Sequence, residues 1–188
     1  YTFMSSDYKP GSTSEEMIPI NEKINHRFKA RFSSEVYYPI NKWFTLGSII
    51  DFTVSNNITF ADYISTLISL PAFQPNPHSK TLLMKGYRAP TYLAAGINPI
   101  IRITNNIFLN TQLTYFQPYQ SLIQNQDGTA AFSDPFPTGS FMGNAALVWQ
   151  SPVGPISLSA TYYQKGDVKW YPQLNIGLLL FKSKSLSN

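Results

Sequence analysis

The feature that most constrains this chain is an alternation of apolar and polar residues, repeated in segments of about ten to fourteen residues, near the length of a tilted membrane strand. The clearest case is segment 26–38. One side of that segment carries Phe28, Ala30, Phe32, Ser34, Val36 and Tyr38, and the other carries Arg27, Lys29, Arg31, Ser33 and Glu35. The pattern predicts β-strands with one apolar and one polar face.

The same alternation recurs along the chain, in segments 43–54, 91–103, 107–116, 141–150, 156–163 and 170–181. A partial strand near Tyr1 to Ser6 brings the predicted total to about eight, the smallest number that closes into a barrel filled by side chains. The connections alternate between short turns at 39–42, 104–106 and 151–154 and long loops at 8–24, 56–90 and 117–140. Short turns on one side and long loops on the other are typical of outer-membrane barrels.

Composition agrees with this fold. Charged residues make up 13% of the 188, about half the share usual in soluble proteins, and no apolar run is long enough for a membrane helix. We therefore predict one all-β domain over residues 1–188, a transmembrane antiparallel up-and-down β-barrel of about eight strands in the bacterial outer membrane. Aromatic residues near the predicted strand ends suit a membrane-interface belt, with carbohydrate stacking as the less favoured alternative: Tyr37, Tyr38, Trp43, Phe116, Tyr119, Trp149, Tyr162, Tyr163, Trp170 and Tyr171.

Composition also excludes several classes of function. The chain has no cysteine, and neither His26 nor His78 has another ligand-type residue at metal-binding spacing, so we expect no metal or cofactor. The net charge of +4 comes from dispersed cations, which argues against nucleic acid as a partner. His78 and Ser79 are adjacent and would point to opposite faces of a strand, so they are a poor catalytic pair. Because the chain begins at Tyr1 without Met or a signal peptide, we expect a processed or truncated product.

The polar faces of the predicted strands bring charged residues together in the barrel lumen. These are Arg27, Lys29, Arg31, Glu35, Asp51 and Arg102. They could bind or conduct an anion, or they could form an internal salt-bridge network that fills a narrow barrel. An eight-stranded barrel has little free interior, which favours the network.

Two motifs carry a resemblance to a known superfamily. Met84-Lys85-Gly86-Tyr87 lies in a long loop with about five strands after it, and the sequence near the C-terminus includes Asn175, Gly177, Leu178, Leu180 and Phe181. The chain resembles the C-terminal half of the bacterial surface antigen barrels, which assemble or translocate proteins at the outer membrane. The resemblance implies that the first motif folds into the lumen and that the second is an insertion signal read by the barrel assembly machinery. Lys85 replaces the Arg of that superfamily, so we expect a looser contact to the wall, for which Asp51 is the candidate partner.

A narrower resemblance covers nearly the whole chain. Segments 37–47, 71–75 and 154–158 resemble the C-terminal barrel of patatin-like phospholipase fusions from Bacteroidetes. In those fusions a lipase domain with a G-x-S-x-G elbow precedes the barrel, but this sequence has no such motif. We therefore predict that the chain is not an enzyme. Barrels of the superfamily have about twice as many strands as this chain supplies, so the chain is either a cut-down member with a barrel of eight strands or one part of a larger chain. We expect a homodimer formed through the seam between the first and last strands.

Three hypotheses for function follow. The first is a membrane-embedded barrel with a structural, membrane-perturbing or assembly-type role, whose partners are outer-membrane lipid and a second copy. The second is the membrane anchor or translocator of a patatin-like phospholipase whose catalytic domain is missing here. The third is a soluble barrel that binds a hydrophobic ligand.

Overall fold

The computed structural model describes residues 28–56, 62–76 and 78–177. Within these residues the protein is mostly antiparallel β-structure, which confirms the all-β prediction. The strands are β1 (Lys29–Pro39), β2 (Phe44–Ser55), β3 (Tyr92–Arg102), β4 (Ile107–Pro118), β5 (Leu122–Gln124), β6 (Ala130–Phe132), β7 (Ser140–Ser151), β8 (Gly154–Tyr163) and β9 (Trp170–Ile176). The helix α1 spans Tyr63–Ser69.

Seven strands form one sheet in the order β1-β2-β3-β4-β7-β8-β9, and each pairs antiparallel with its neighbours. Strands β5 and β6 form a separate hairpin in the connection that the sequence suggested was one long loop. Within the described residues β1 and β9 are the edges of the sheet, and no pairing between them closes it. The predicted strand at Tyr1 to Ser6 lies outside the described residues.

The connections alternate as predicted. Four residues join β1 to β2 and β3 to β4, and two join β7 to β8, all at what we call the short-turn end of the sheet. In the first turn the Asn41 side chain accepts hydrogen bonds from the backbone N–H groups of Trp43 and Phe44, at 3.0 and 2.8 Å. An Asn that binds its following backbone in this way favours a tight turn. The longer connections 56–91, 119–139 and 164–169 lie at the opposite end, which we call the long-loop end.

The two faces of the sheet have the polarity that the alternation predicted. One face, here the inner face, buries polar residues such as Asp51, 2% exposed, and Thr161, 0% exposed. The other, the outer face, presents large apolar side chains to the outside, including Phe32 at 62% and Leu158 at 60% exposure. This is the reverse of a soluble sheet, which packs its apolar face into the core.

The connection from β2 to β3 folds against the inner face at the long-loop end; we call residues 62–76 and 78–91 the inner segment. It begins with α1, where the Asp62 side chain accepts from Ser65 N at 2.8 Å as N-cap. Further along, the Phe73 N–H donates to Tyr87 O at 2.9 Å and the Ala89 N–H to Pro71 O at 3.2 Å, so the segment folds back on itself. No helix in the described residues is long and apolar enough to cross a membrane.

An apolar core lies between the inner segment and the sheet. The inner segment contributes Phe73, Met84, Tyr87 and Ala89, and the sheet contributes Tyr92, Ala94, Phe116, Met142 and Tyr163. The placement of Phe116 and Tyr163 in an outward-facing belt was therefore wrong, and Tyr171 packs against the same core. Their positions belong to the inner face, and near the long-loop end that face is apolar because the inner segment covers it.

Candidate functional site: a polar cavity on the inner face

Below the inner segment, towards the short-turn end, the inner face borders a partly open cavity of about 600 Å³. Residues of the inner segment between 75 and 81 form one side of it, and β1, β3, β4, β7, β8 and β9 form the others. Its lining consists of Glu35, Tyr37, Pro75, Asn76, His78, Thr81, Asn98, Asn110, Gln112, Asn144, Ala146, Val148, Ser157, Ser159, Gln173 and Asn175. The volume falls within the range typical of small-molecule sites.

Carboxamides dominate this lining. Six come from inner-face positions of four strands and one from the inner segment: Asn98, Asn110, Gln112, Asn144, Gln173, Asn175 and Asn76. Each amide offers both donors and an acceptor without a charge. Among the described lining residues Glu35 is the only carboxylate, and none is Lys or Arg. The cavity is therefore hydrogen-bonding in character and carries little charge.

The single carboxylate already has partners. The Tyr37 hydroxyl donates to Glu35 Oε1 at 2.6 Å, and Asn98 Nδ2 donates to the same oxygen at 2.8 Å. These bonds join β1 to β3 across β2, where Gly47 faces the ring of Tyr37. A Cβ at position 47 would lie 2.6 Å from a Tyr37 ring carbon, so the glycine makes room for the ring that lines the cavity.

Two buried amide atoms in the lining have no hydrogen-bond partner in the described part of the chain. They are Asn98 Oδ1, on a residue 4% exposed, and Asn76 Nδ2, on a residue 7% exposed. A buried polar group without a partner costs about 1 to 3 kcal/mol, so such groups in native proteins usually meet water or a ligand. One of these atoms is an acceptor and the other a donor.

The residues predicted to form one charged network have separate partners instead. Asp51 and Arg31 form an ion pair, in which Arg31 Nη2 and Nε donate to Asp51 Oδ2 at 2.5 and 3.1 Å. Glu35 is bound to Tyr37 and Asn98 instead. Arg102 lies at the short-turn end with its guanidinium carbon 5.4 Å from the centroid of the Phe108 ring. Lys29 is exposed at one end of β1, and Arg27 lies outside the described residues.

The predicted loop motif Met84-Lys85-Gly86-Tyr87 lies on the inner face, except for the side chain of Lys85. Met84 and Tyr87 are buried in the core, and the Tyr87 hydroxyl donates to Phe141 O at 2.6 Å. Gly86 lies against Lys165, whose Cβ would be 2.5 Å from an added Cβ. Lys85 is exposed and lines a small cavity of about 130 Å³ together with Lys165 and Asp167.

The expected contact between Lys85 and Asp51 is therefore wrong. Asp51 is bound by Arg31 and by the Tyr92 hydroxyl, which lies 3.3 Å from Asp51 Oδ1 and 3.4 Å from Ala72 O. The sheet therefore contacts the inner segment through Tyr92, which the sequence analysis did not select as a site residue. The alternation places Tyr92 on the inner face and next to a long loop, and this position was the clue that the sequence offered.

The predicted C-terminal signal is described only in part. Asn175 lines the cavity, with its Nδ2 3.5 Å from Ser157 Oγ, and the Gly177 N–H donates to Pro155 O at 2.7 Å. Leu178, Leu180 and Phe181 lie outside the described residues.

His78 and Ser79 bind different groups. His78 Nδ1 lies 3.2 Å from the Tyr163 hydroxyl, and its ring is 4.8 Å from that of Tyr171. Ser79 Oγ donates to Asn76 O at 2.6 Å. Across the described ranges, no group of three His, Cys, Asp or Glu residues could hold a metal ion. His26 lies outside them.

No family model, no curated protein and no solved structure matches this chain.

Proposed function

We propose that this chain is the wall of a β-barrel in the bacterial outer membrane, with its outer face against lipid and its inner face around a hydrated lumen. Its role is that of a membrane-embedded module, structural, membrane-perturbing or assembly-type, without chemistry of its own. The observation that carries the proposal is the inverted polarity of the sheet. Membership of the surface antigen superfamily stays a prediction from the motifs.

The outer face supports contact with lipid through its continuous apolar surface. Neighbouring strands contribute large side chains that are each about half exposed, including Phe52, Leu93, Ile97, Leu113, Phe141, Leu147, Leu158 and Leu174. Soluble monomers rarely expose a contiguous apolar patch of more than a few hundred Å². Hydrocarbon tails would cover this surface without any change in the sheet. The polar lining of the cavity does not favour a soluble barrel that encloses a hydrophobic ligand.

Aromatic residues at both ends of the outer face support the same arrangement. Tyr115 packs on Phe141 and Tyr162 on Trp170 at the long-loop end, each pair with ring centroids 4.9 Å apart. Trp149 lies at the short-turn end of β7, about 27 Å along the strand from Phe141 at roughly 3.4 Å per residue. With a strand tilt of about 40° this spans about 20 Å along the membrane normal, near the roughly 25 Å apolar band of outer-membrane barrels.

The free edges of β1 and β9 support the proposal that the barrel closes, or that two chains pair, at the seam between these strands. In the described residues each edge strand has one neighbour, so half of its backbone groups point away from the sheet. Backbone groups in lipid must be paired. We propose a second copy as the partner there, which single cysteines on β1 and β9 would test, because the chain has none of its own. Disulfide-linked dimers support pairing between copies, and their absence under oxidation contradicts it.

The lipid-facing proposal is tested with two neighbouring residues of β8. Leu158 lies on the outer face and Ser159 on the inner face, so L158C and S159C place a fluorescent label on opposite sides of one strand. After refolding into vesicles, we expect brominated acyl chains to quench the label at 158 strongly and the label at 159 weakly. Equal quenching at both positions, or a wild-type protein that stays monomeric and soluble without detergent, would contradict the proposal.

A further inference from the structure

We propose that the inner cavity binds a small neutral ligand rich in hydroxyl groups, of the monosaccharide or disaccharide class. This inference goes beyond a structural role in the membrane. It concerns the inner face alone, so it does not depend on what covers the outer face.

The cavity offers both hydrogen-bond donors and acceptors, because its lining is dominated by carboxamides. A hydroxyl group matches both functions from one oxygen. A ligand with several hydroxyls would therefore bond to several of these amides at once.

The lining carries little charge. Among the described residues it has one carboxylate, one histidine and no Lys or Arg, and Asp51 with its Arg31 partner is not part of it. A phosphate or carboxylate ligand would enter without a Lys or Arg to pair with, which is costly in a partly enclosed site. An anion therefore fits this cavity poorly, and a neutral polar ligand fits it well.

The cavity also has a suitable size and some apolar surface. A volume of about 600 Å³ is ample for one or two sugar rings, which have apolar faces as well as hydroxyls. The lining includes the Tyr37 ring and, on β7, the apolar side chains of Ala146 and Val148. Amides beside a few apolar surfaces suit a sugar better than they suit a lipid tail, which would leave the amides unpaired.

The experiment uses the full chain refolded in a detergent without a sugar headgroup. Binding of glucose, maltose and N-acetylglucosamine is measured by calorimetry beside glucuronate and glucose 6-phosphate. We expect at least one neutral sugar to bind, and to bind at least tenfold more tightly than either anionic sugar. Absence of binding by every neutral sugar, or tighter binding of an anionic one, would overturn the proposal.

Two lining variants and one control locate the binding. N98L removes one amide of the lining, and Q112L removes a half-buried one on another strand, in case N98L fails to fold. The control is N105L in the exposed turn between β3 and β4, away from the cavity. We expect a loss of at least tenfold in affinity for each folded lining variant and less than twofold for the control. Unchanged affinity in the lining variants, or an equal loss in the control, would reject the cavity as the site.

Discussion

The inner face of this sheet has two halves that differ although the same strands build them. At the long-loop end the inner segment covers the face, and rings such as Tyr87, Phe116 and Tyr163 pack into a core from which solvent is excluded. Towards the short-turn end the inner segment borders the face only with residues between 75 and 81, and amides surround a partly open cavity. Residues at inner-face positions thus form either a packed core or a candidate site, depending on whether the inner segment packs against them. We therefore expect stability to be concentrated in the first half and exposed polar surface in the second.

The sharpest test of this comparison removes one ring from the covered half. Tyr87 is fully buried, so Tyr87→Ala is expected to lower the free energy of unfolding by about 3 to 5 kcal/mol, as for other buried aromatic residues. Gln112→Ala in the cavity half should cost less than about 1 kcal/mol, because its site is already open to solvent. Denaturant unfolding of the refolded protein measures both. Equal losses would remove the distinction between the halves.

The hydroxyl of Tyr87 separates ring packing from hydrogen bonding. Tyr87→Phe keeps the ring and deletes only the bond to Phe141 O, so a loss of about 1 kcal/mol is expected. A loss as large as that of Tyr87→Ala would place the stability in the hydrogen bond instead of the core.

An effect between those of Tyr87→Ala and Tyr87→Phe is expected where the inner segment touches the β8–β9 loop. In Gly86→Ala the new Cβ would lie 2.5 Å from Lys165 Cβ and 2.9 Å from Lys165 O, so the segment must shift, at a cost of about 1 to 3 kcal/mol. Gly143→Ala is the matched control, since its nearest neighbour, Gln112 O, is 3.8 Å away. Limited proteolysis should cut the inner segment faster in the first variant and not in the second. Equal cleavage rates would show that the contact does not hold the segment.

The smallest effect concerns the helix cap and depends on pH. Hydrogen bonds from the Ser65 backbone and side chain lower the pKa of the Asp62 carboxyl below its ordinary value. A lowered pKa means that the cap stabilises α1 above about pH 4 and loses this contribution as the pH falls through the folded-state value. The protection factors for hydrogen exchange at Tyr63–Ser69, which correct for the intrinsic exchange rate at each pH, should therefore fall on acidification. Asp62→Asn, which keeps an acceptor but does not titrate, should abolish that pH dependence, and a persistent dependence would exclude Asp62 as its source.

Much of the sheet was predictable from the sequence because strand periodicity is a local signal. The alternation around Phe32, Phe52 and Leu93 gave the strands, their faces and the side on which each turn lies, to within a few residues. The placement of Arg31 and Asp51 on one polar face followed from the same parity, and they pair.

The contents of the inner face were not predictable in the same way. Segment 56–90 has no strand periodicity, so neither α1 nor its packing against Phe116 could be read from it. The Lys85 prediction failed because two partners on the wall, Arg31 and Tyr92, already occupy Asp51. The carboxamides of the cavity were visible in the sequence as Asn and Gln at inner-face positions. The sequence does not show that the strands bring them together around one cavity.

Arg88 holds the beginning and the end of the inner segment together. Its Nη1 lies 3.1 to 3.3 Å from the carbonyl oxygens of Leu67, Ile68 and Leu70, so one side chain binds the end of α1 to the last part of the segment. The exposed residues Thr81 and Leu83 lie in the chain between these two parts. A peptide bond cleaved there would leave both new ends tethered, and the severed chain would keep its shape.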